Sequence, residues 1–297
     1  MTLASRTSLA GEVLLVYLDD QVRMLREQGL RVRQNEPDSV HQMRVATRRL
    51  RSVLRTYRPL LDAETANRLR GELGWLAGIL GTARDLQVMR QRLMDRIAAE
   101  PRELVMGAVS GRIDGTLGAE FEVARLAVLT ALDDERYGRL LEDFDSLLVA
   151  PPLAAPAFEP ARGIVPDLLR WEWRRLRTTV TLVRACPPGT PRDLALHEVR
   201  KSAKRLRFAA EAAVPVRRRP ALRLAAAAEE LQTILGDHQD AVVARERLRR
   251  WGMEAPSHGE NAFSYGRLDA LEQAAAADAD ARFLRAWRTF PGPSLGG

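Results

Sequence analysis

Two stretches of this chain repeat one another. His41, Arg44, Arg48, Arg49, Leu50 and Arg51 recur as His197, Arg200, Lys204, Arg205, Leu206 and Arg207, at a constant separation of 156 residues. Further on, ILGTARDLQV (Ile79–Val88) recurs as ILGDHQDAVV (Ile234–Val243), at a separation of 155. Two matches in the same order and nearly the same register mark an internal duplication, so the fold must accommodate two similar halves.

Those halves read as helical. Apolar residues recur at spacings of three and four along almost the whole chain, and no run of β-branched alternation stands out. The reading is all-α. Helices are expected at 8–30, 38–61, 64–80, 82–99, 102–133 with a break near Gly115, and 135–149. In the second half they are expected at 161–185, 190–213, 217–235, 237–252 and 262–289. The stretch Ala150–Pro166 is too rich in proline to continue a helix. It divides the chain into a first half, 1–150, a linker, 151–165, and a second half, 166–290, with a disordered tail at 291–297.

The repeated segments carry an unusual charge pattern. His41–Arg58 holds six arginines and no acid. At about 100° per residue, His41, Arg44, Arg48, Arg51 and Arg55 fall within an arc of roughly 80°, while Met43, Ala46, Leu50, Val53 and Leu54 occupy the opposite side. One face therefore packs, and the other presents a row of cations about 21 Å long. His197, Arg200, Lys204 and Arg207 repeat the row, flanked by Lys201 and Arg205. Like charges three or four apart oppose a helix by a few tenths of a kcal/mol each, so such a row needs an anionic counterpart. Acids on neighbouring helices could supply it; Glu64, Glu72, Asp85 and Asp240 are available. Internal pairing alone, however, gives no reason for a histidine at the same end of both rows. A ligand does: both histidines sit near helix starts, with Ser39 and Gln42 offering a capping box in one half and Thr190 a cap in the other. Among so many arginines His41 is expected to stay neutral until a polyanion draws it to the charged form.

The signatures VHQMRVATRRLRSVLRTYRPLL and LHEVRKSAKRLRFAAE, followed by LGTARDLQV and LGDHQDAVV, resemble the CHAD family of histidine-bearing α-helical domains over about residues 8–289. The resemblance implies two four-helix bundles related by an approximate two-fold, with a basic groove or pore between them. It implies binding of inorganic polyphosphate, for which sulfate or phosphate would be mimics, and recruitment to polyphosphate granules in some members. The matching positions are His41, Arg44, Arg48, Arg49, Arg51, His197, Arg200, Lys201, Lys204, Arg205 and Arg207, to which the helical row adds Arg55. Arg23, Arg26, Arg84, Arg174 and Arg177 are secondary candidates. Phe208 stands where the family often has tyrosine, and the triphosphatase domain fused to some members has no counterpart here.

Composition agrees with an acidic partner. The chain has 46% hydrophobic and 29% charged residues and a formal charge of +7. Nucleic acid is the alternative ligand, but the rows lack interleaved aromatics and are thin in Asn and Gln. Catalysis is not expected. There is no Walker-type glycine loop, no carboxylate cluster suited to Mg²⁺ and no metal-ligand pattern; His238 reads as a helix-start residue and His258 as a loop residue. No cofactor is implied. The lone Cys186, the poor signal-peptide character of the first twenty residues and the absence of a long apolar run point to a cytoplasmic protein without a membrane span.

Overall fold

The computed structural model describes residues 8–292, and among these nine α-helices and four short 3₁₀ turns account for the fold, with no strand. The helices are α1 (Ala10–Arg33), α2 (Ser39–Thr56), α3 (Ala63–Ala99), α4 (Val109–Asp133) and α5 (Glu135–Val149), then α6 (Ala161–Ala185), α7 (Thr190–Ala213), α8 (Arg218–Glu254) and α9 (Phe263–Arg288). None of the described helices is long and apolar enough to cross a membrane.

The expected breaks at Gly81, Gly115 and Gly236 do not occur; α3, α4 and α8 run straight through them. A glycine weakens a helix interior by about 1 kcal/mol, which long packed helices absorb. Proline acts by position: Pro166 is accommodated inside α6, near its start, whereas Pro59 stops a helix. It ends α2 at Thr56, and the chain continues through a 3₁₀ turn, Arg58–Leu60, because Pro59 has no N–H to offer the helix. The helix at 102 also starts later than expected: Arg102–Leu104 is a 3₁₀ turn and α4 begins at Val109. The caps lie one residue upstream of those expected. Asp38, at φ 63°, precedes α2 and accepts from Gln42 Nε2 at 2.9 Å, and Gly189, at φ 95°, precedes α7.

Helices pack in the same order in both halves: α1 on α2, α2 on α3 and α3 on α4, then α6 on α7, α7 on α8 and α8 on α9. The first half adds α5, which lies against α1, α3 and α4, so it holds five helices where the family resemblance implied four. The halves join where α2 packs on α7 and α1 on α6 and α7. Met43, Leu50, Val53 and Leu54 of α2, Tyr57 just after it, and Val199, Ala203, Leu206 and Ala210 of α7 are fully buried, and one continuous apolar core spans both halves. Polar groups in this joint are paired: Tyr57 Oη donates to the Ala209 carbonyl at 3.1 Å, and Thr56 Oγ1 donates to the fully buried Glu172 at 2.8 Å.

The proline-rich stretch is folded onto this joint. It contains a 3₁₀ turn, Ala155–Phe158, with Ala157 fully buried, and exchanges backbone hydrogen bonds with residues 8–10 and 60–62. At the C-terminus Trp173 Nε1 donates to the Pro291 carbonyl at 3.0 Å; residues 293–297 of the expected disordered tail lie outside the described residues.

Candidate functional site

Because the apolar sides of α2 and α7 face each other and the core, their cationic sides are left beside the next helices, α3 and α8. Between these four helices lies a cleft of about 610 Å³. Arg44, Arg48 and Arg51 enter it from α2, and His197, Arg200, Lys201 and Lys204 from α7. Arg247 of α8 joins them, against the carboxylates Asp85, Glu120 and Asp240. Both cationic rows thus converge on one space.

The second repeated motif explains how they fit. Gly81 and Asp85 on α3, and Gly236 and Asp240 on α8, are one helical turn apart and share a face. A Cβ at Gly81 would lie 3.8 Å from Arg44 Nε, and one at Gly236 would lie 3.5 Å from Arg200 Nη2, so each guanidinium rests on a helix surface bared by glycine. Arg44 Nη2 donates to Asp85 Oδ1 at 2.9 Å. Asp240 stands beside Arg200 in the equivalent place, its carboxyl raised by burial against the pull of Arg200 and Arg92. The histidines also face equivalent positions, but unlike residues. His197 Nδ1 lies 2.8 Å from Gln239 Oε1, whereas His41 faces Arg84. His41 is not among the cleft's lining residues. Its Nδ1 is buried without a partner, and burial first, then Arg84, lowers its pKa against the influence of Asp38.

Most of the cleft's positive charge is unanswered. Among the described residues Arg48, Arg51, Arg200 and Lys204 have neither an ion pair nor a hydrogen bond from their charged ends, and Arg200 Nε is buried without a partner. Half-buried Arg48 is lowered to about 9, by burial first and then by Arg44 and Arg200. Arg200 is lowered as well, by burial first, with Asp240 opposing and Arg44 adding to it. Such crowding disfavours the charged forms, and an anion entering the cleft relieves it.

Other residues of the repeated segments point elsewhere. Arg49 donates to Glu211 at 3.0 Å and Arg207 to Glu211 at 2.8 Å and to Glu229 at 2.9 Å; both cations flank the buried ring of Phe208. Arg205 is buried against Ser202 Oγ at 2.6 Å and Glu172 at 3.6 Å. Of these pairs only Arg49–Glu211 crosses between the halves; Arg205 and Arg207 pair within the second half. Arg55 lies past the cleft, beside Arg175, Glu172 and Arg51. Arg23 pairs with Asp19 and Asp20 on the surface, and Arg26 with Asp145 of α5 at 2.6 Å. Arg174 is exposed and Arg177 stacks over Trp173 at 5.3 Å; the α6 cation nearest Arg55 is instead Arg175. His238 is a correction: it lies within α8, not at its start, buried with Nε2 3.3 Å from Asp193 Oδ1. His258 closes a 3₁₀ turn. Glu72 of the available acids is taken by Arg136 at 2.6 Å.

Sequence reasoning passed over Arg247, Gln239 and the glycines. Arg247 was within reach, since Asp240, Val243 and Arg247 follow a helical period along the segment after the second motif.

Comparison with known proteins gives the family and the fold. Two Mycobacterium tuberculosis proteins, MT2285 and Rv2226, both described as uncharacterized, are 35% identical over 254 residues. That match takes in 84% of this chain and 48% of each relative, so the chain spans about half the length of the curated relatives it matches. Among solved structures, PptA from Streptomyces chartreusis superposes with a TM-score of 0.76 over 95% of this chain and 100% of its own, at 24% identity. The CHAD domain from the plant Ricinus communis does so with a TM-score of 0.70 over 97% and 95%, also at 24% identity. Residues 16–249 match the CHAD domain family, covering both repeats, α2, α3, α7 and most of α8, and the chain belongs to that family.

Proposed function

We propose that this protein binds inorganic polyphosphate in the cleft between α2, α3, α7 and α8, without performing chemistry on it. The observation that carries the reading is the set of cations lining one cleft with neither an ion pair nor a hydrogen bond within the described residues: Arg48, Arg51, Arg200 and Lys204. Polyphosphate offers a repeating negative charge and no bases. A site for it needs closely spaced guanidinium and ammonium groups and no stacking platform, and no Phe, Tyr or Trp is among the described residues that line the cleft. Gly74, Gly81 and Gly236 let arginines lie close to the helix walls, which leaves the centre open to the polymer. Association with polyphosphate granules would follow from such binding, and a fluorescent fusion should gather on granules in cells that contain them.

The test is a titration against linear polyphosphates of graded length, with nucleic acid of matched charge in competition. Affinity should rise with chain length as more contacts engage one polymer, and fall steeply with salt. Changing Arg44, Arg48 and Arg51 together to alanine should abolish most of it while leaving the helical fold intact. Unchanged affinity in that variant would sink the reading, and tighter binding of the nucleic acid would replace polyphosphate as the ligand. Release of phosphate, or transfer to ADP with Mg²⁺ present, would show an enzyme instead.

A further inference from the structure

The halves meet twice, on opposite sides of the cleft. One meeting is the α2–α7 joint. At the other, each half reaches into its counterpart in the same way. Arg92 of α3 donates to Glu272 of α9 at 2.8 and 2.5 Å, and Arg96 adds a bond at 3.0 Å; in the reverse sense Arg247 of α8 donates to Glu120 of α4 at 2.8 Å. Glu272 is fully buried.

The second meeting is packed as well as charged. Ser264 Oγ accepts from the Met106 amide at 2.7 Å and donates to the Leu104 carbonyl at 3.2 Å. Leu268 of α9 is buried beside Ile97 and Val109 of the first half. Arg112 pairs with Glu260 at 2.9 Å, and Arg267 with Glu100. Parting the halves here would strand a buried carboxylate and two arginines and expose apolar surface, all in one step. Beyond the cleft a second hollow of about 600 Å³ runs along α3 from Arg84 to Arg96, and Val88 lines both spaces. The cleft therefore has side walls from α3 and α8, a closure at each end and a continuation past Val88.

We infer that the cleft is a closed ring, which a linear polyanion enters end first, leaving by the hollow beside Arg84. The inference rests on the polyphosphate reading of the cleft and adds the route of entry. A chain segment without a free end has no path in, and a threaded chain leaves only by sliding off an end. The protein would then select linear polymers with accessible termini over end-blocked ones of the same length and charge.

The experiment uses the unaltered protein and long linear polyphosphate of one length, either free-ended or coupled at both ends to a bulky neutral protein. The blocked polymer should associate at least about tenfold more slowly than the free one. A smaller difference overturns the ring, because it shows that the junction at Glu272 opens or that the polymer lies on the surface; the polyphosphate reading would survive that result. If the free-ended polymer itself fails to bind, the polyphosphate reading falls and the ring inference falls with it. A second arm adds the blocking groups after binding. The polymer should then stay bound through a high-salt wash that removes it when its ends are free, and release at equal rates also overturns the inference.

Discussion

The guanidinium of Arg200 lies across Gly236 so closely that a Cβ at that glycine would sit 3.5 Å from Nη2. Arg44 and Gly81 stand in the same relation in the other half, at 3.8 Å. This pairing joins the two repeated motifs into one device. The first motif supplies a long cation, and the second supplies a bare helix surface with an aspartate one turn further on.

The device predicts a size threshold at residue 236. Alanine meets only ordinary contacts there and removes the conformational cost of glycine, so Gly236→Ala should raise unfolding free energy by about 0.5–1 kcal/mol and leave polymer affinity unchanged. Gly236→Leu should push Arg200 from its seat and weaken binding about tenfold, equivalent to ~1.4 kcal/mol. Thermal unfolding and a binding titration on both variants check this. Equal affinity for the two would show that Arg200 does not need its place on α8.

Arg48 gives a trade between stability and binding. Its pKa falls from the ordinary 12.5 to about 9, through burial and the nearby Arg44 and Arg200. At neutral pH it is protonated both folded and unfolded, so the full cost of holding its charge is present there; the cost is lost as pH rises above about 9. Arg48→Met should therefore stabilise the free protein by on the order of 1 kcal/mol. The same change should lower polyphosphate affinity about tenfold. Denaturant unfolding without ligand and titration with it should move in opposite directions.

Adjacent residues 204 and 205 should separate site from scaffold. Lys204 faces the cleft without a partner, whereas Arg205 is buried and neutralises Glu172. Lys204→Ala should change stability by less than about 0.5 kcal/mol and weaken binding. Arg205→Ala should cost about 3 kcal/mol, because Glu172 keeps its buried charge with no ion pair, held by the Thr56 hydroxyl and the field of Arg55. The unfolded fraction would account for any loss of binding by the Arg205 variant, which a titration well below its melting temperature would reveal.

The contrast between 204 and 205 also marks where sequence reading stops. The duplication, the helical class and the row Arg44, Arg48, Arg51 are carried by spacing alone, because a helix face follows from periodicity. Arg207 lies on the row itself and is drawn off by Glu211 and Glu229, while Arg49 and Arg205 lie on the flanks of the face, and spacing cannot say whether a flank meets solvent or another helix. Their partners, Glu211 and Glu172, sit on α7 and α6, and only the α2–α7 joint brings Arg49 to Glu211. Gly81 and Gly236 look like helix breakers in isolation, yet each lies inside a 37-residue helix where an arginine from the neighbouring helix needs room. The register of α6 shows the same limit: Arg175, not Arg174 or Arg177, turns toward Arg55.

Two histidines set the response to acid. His41 and His238 both have pKa values below the ordinary 6.5, and burial is the main cause in each. Arg84, Arg44 and Arg48 add to the lowering at His41 while Asp38 opposes it; at His238, Asp193 and Asp280 oppose it and Arg192 adds to it. Below 6.5 the unfolded chain takes up protons that the folded chain resists, so stability must fall as pH falls through that range. Asp240 acts with the opposite sign, since its raised carboxyl pKa favours the folded state on acidification. Between about pH 7.5 and 5.5 the melting temperature should therefore drop, and the His41→Gln, His238→Gln double variant should flatten that drop. Bound polyphosphate should distinguish the two histidines. Negative charge beside Arg84 cancels part of the field that lowers His41, whereas His238 is enclosed by Asp193, Asp280 and Arg192 on the far side of α8 from the polymer's path. Saturating polymer should then reduce the acid-induced loss in the His238→Gln single variant, where His41 remains, and leave it unchanged in the His41→Gln variant. An equal effect in both would mean that the polymer does not reach the Arg84 end of the cleft.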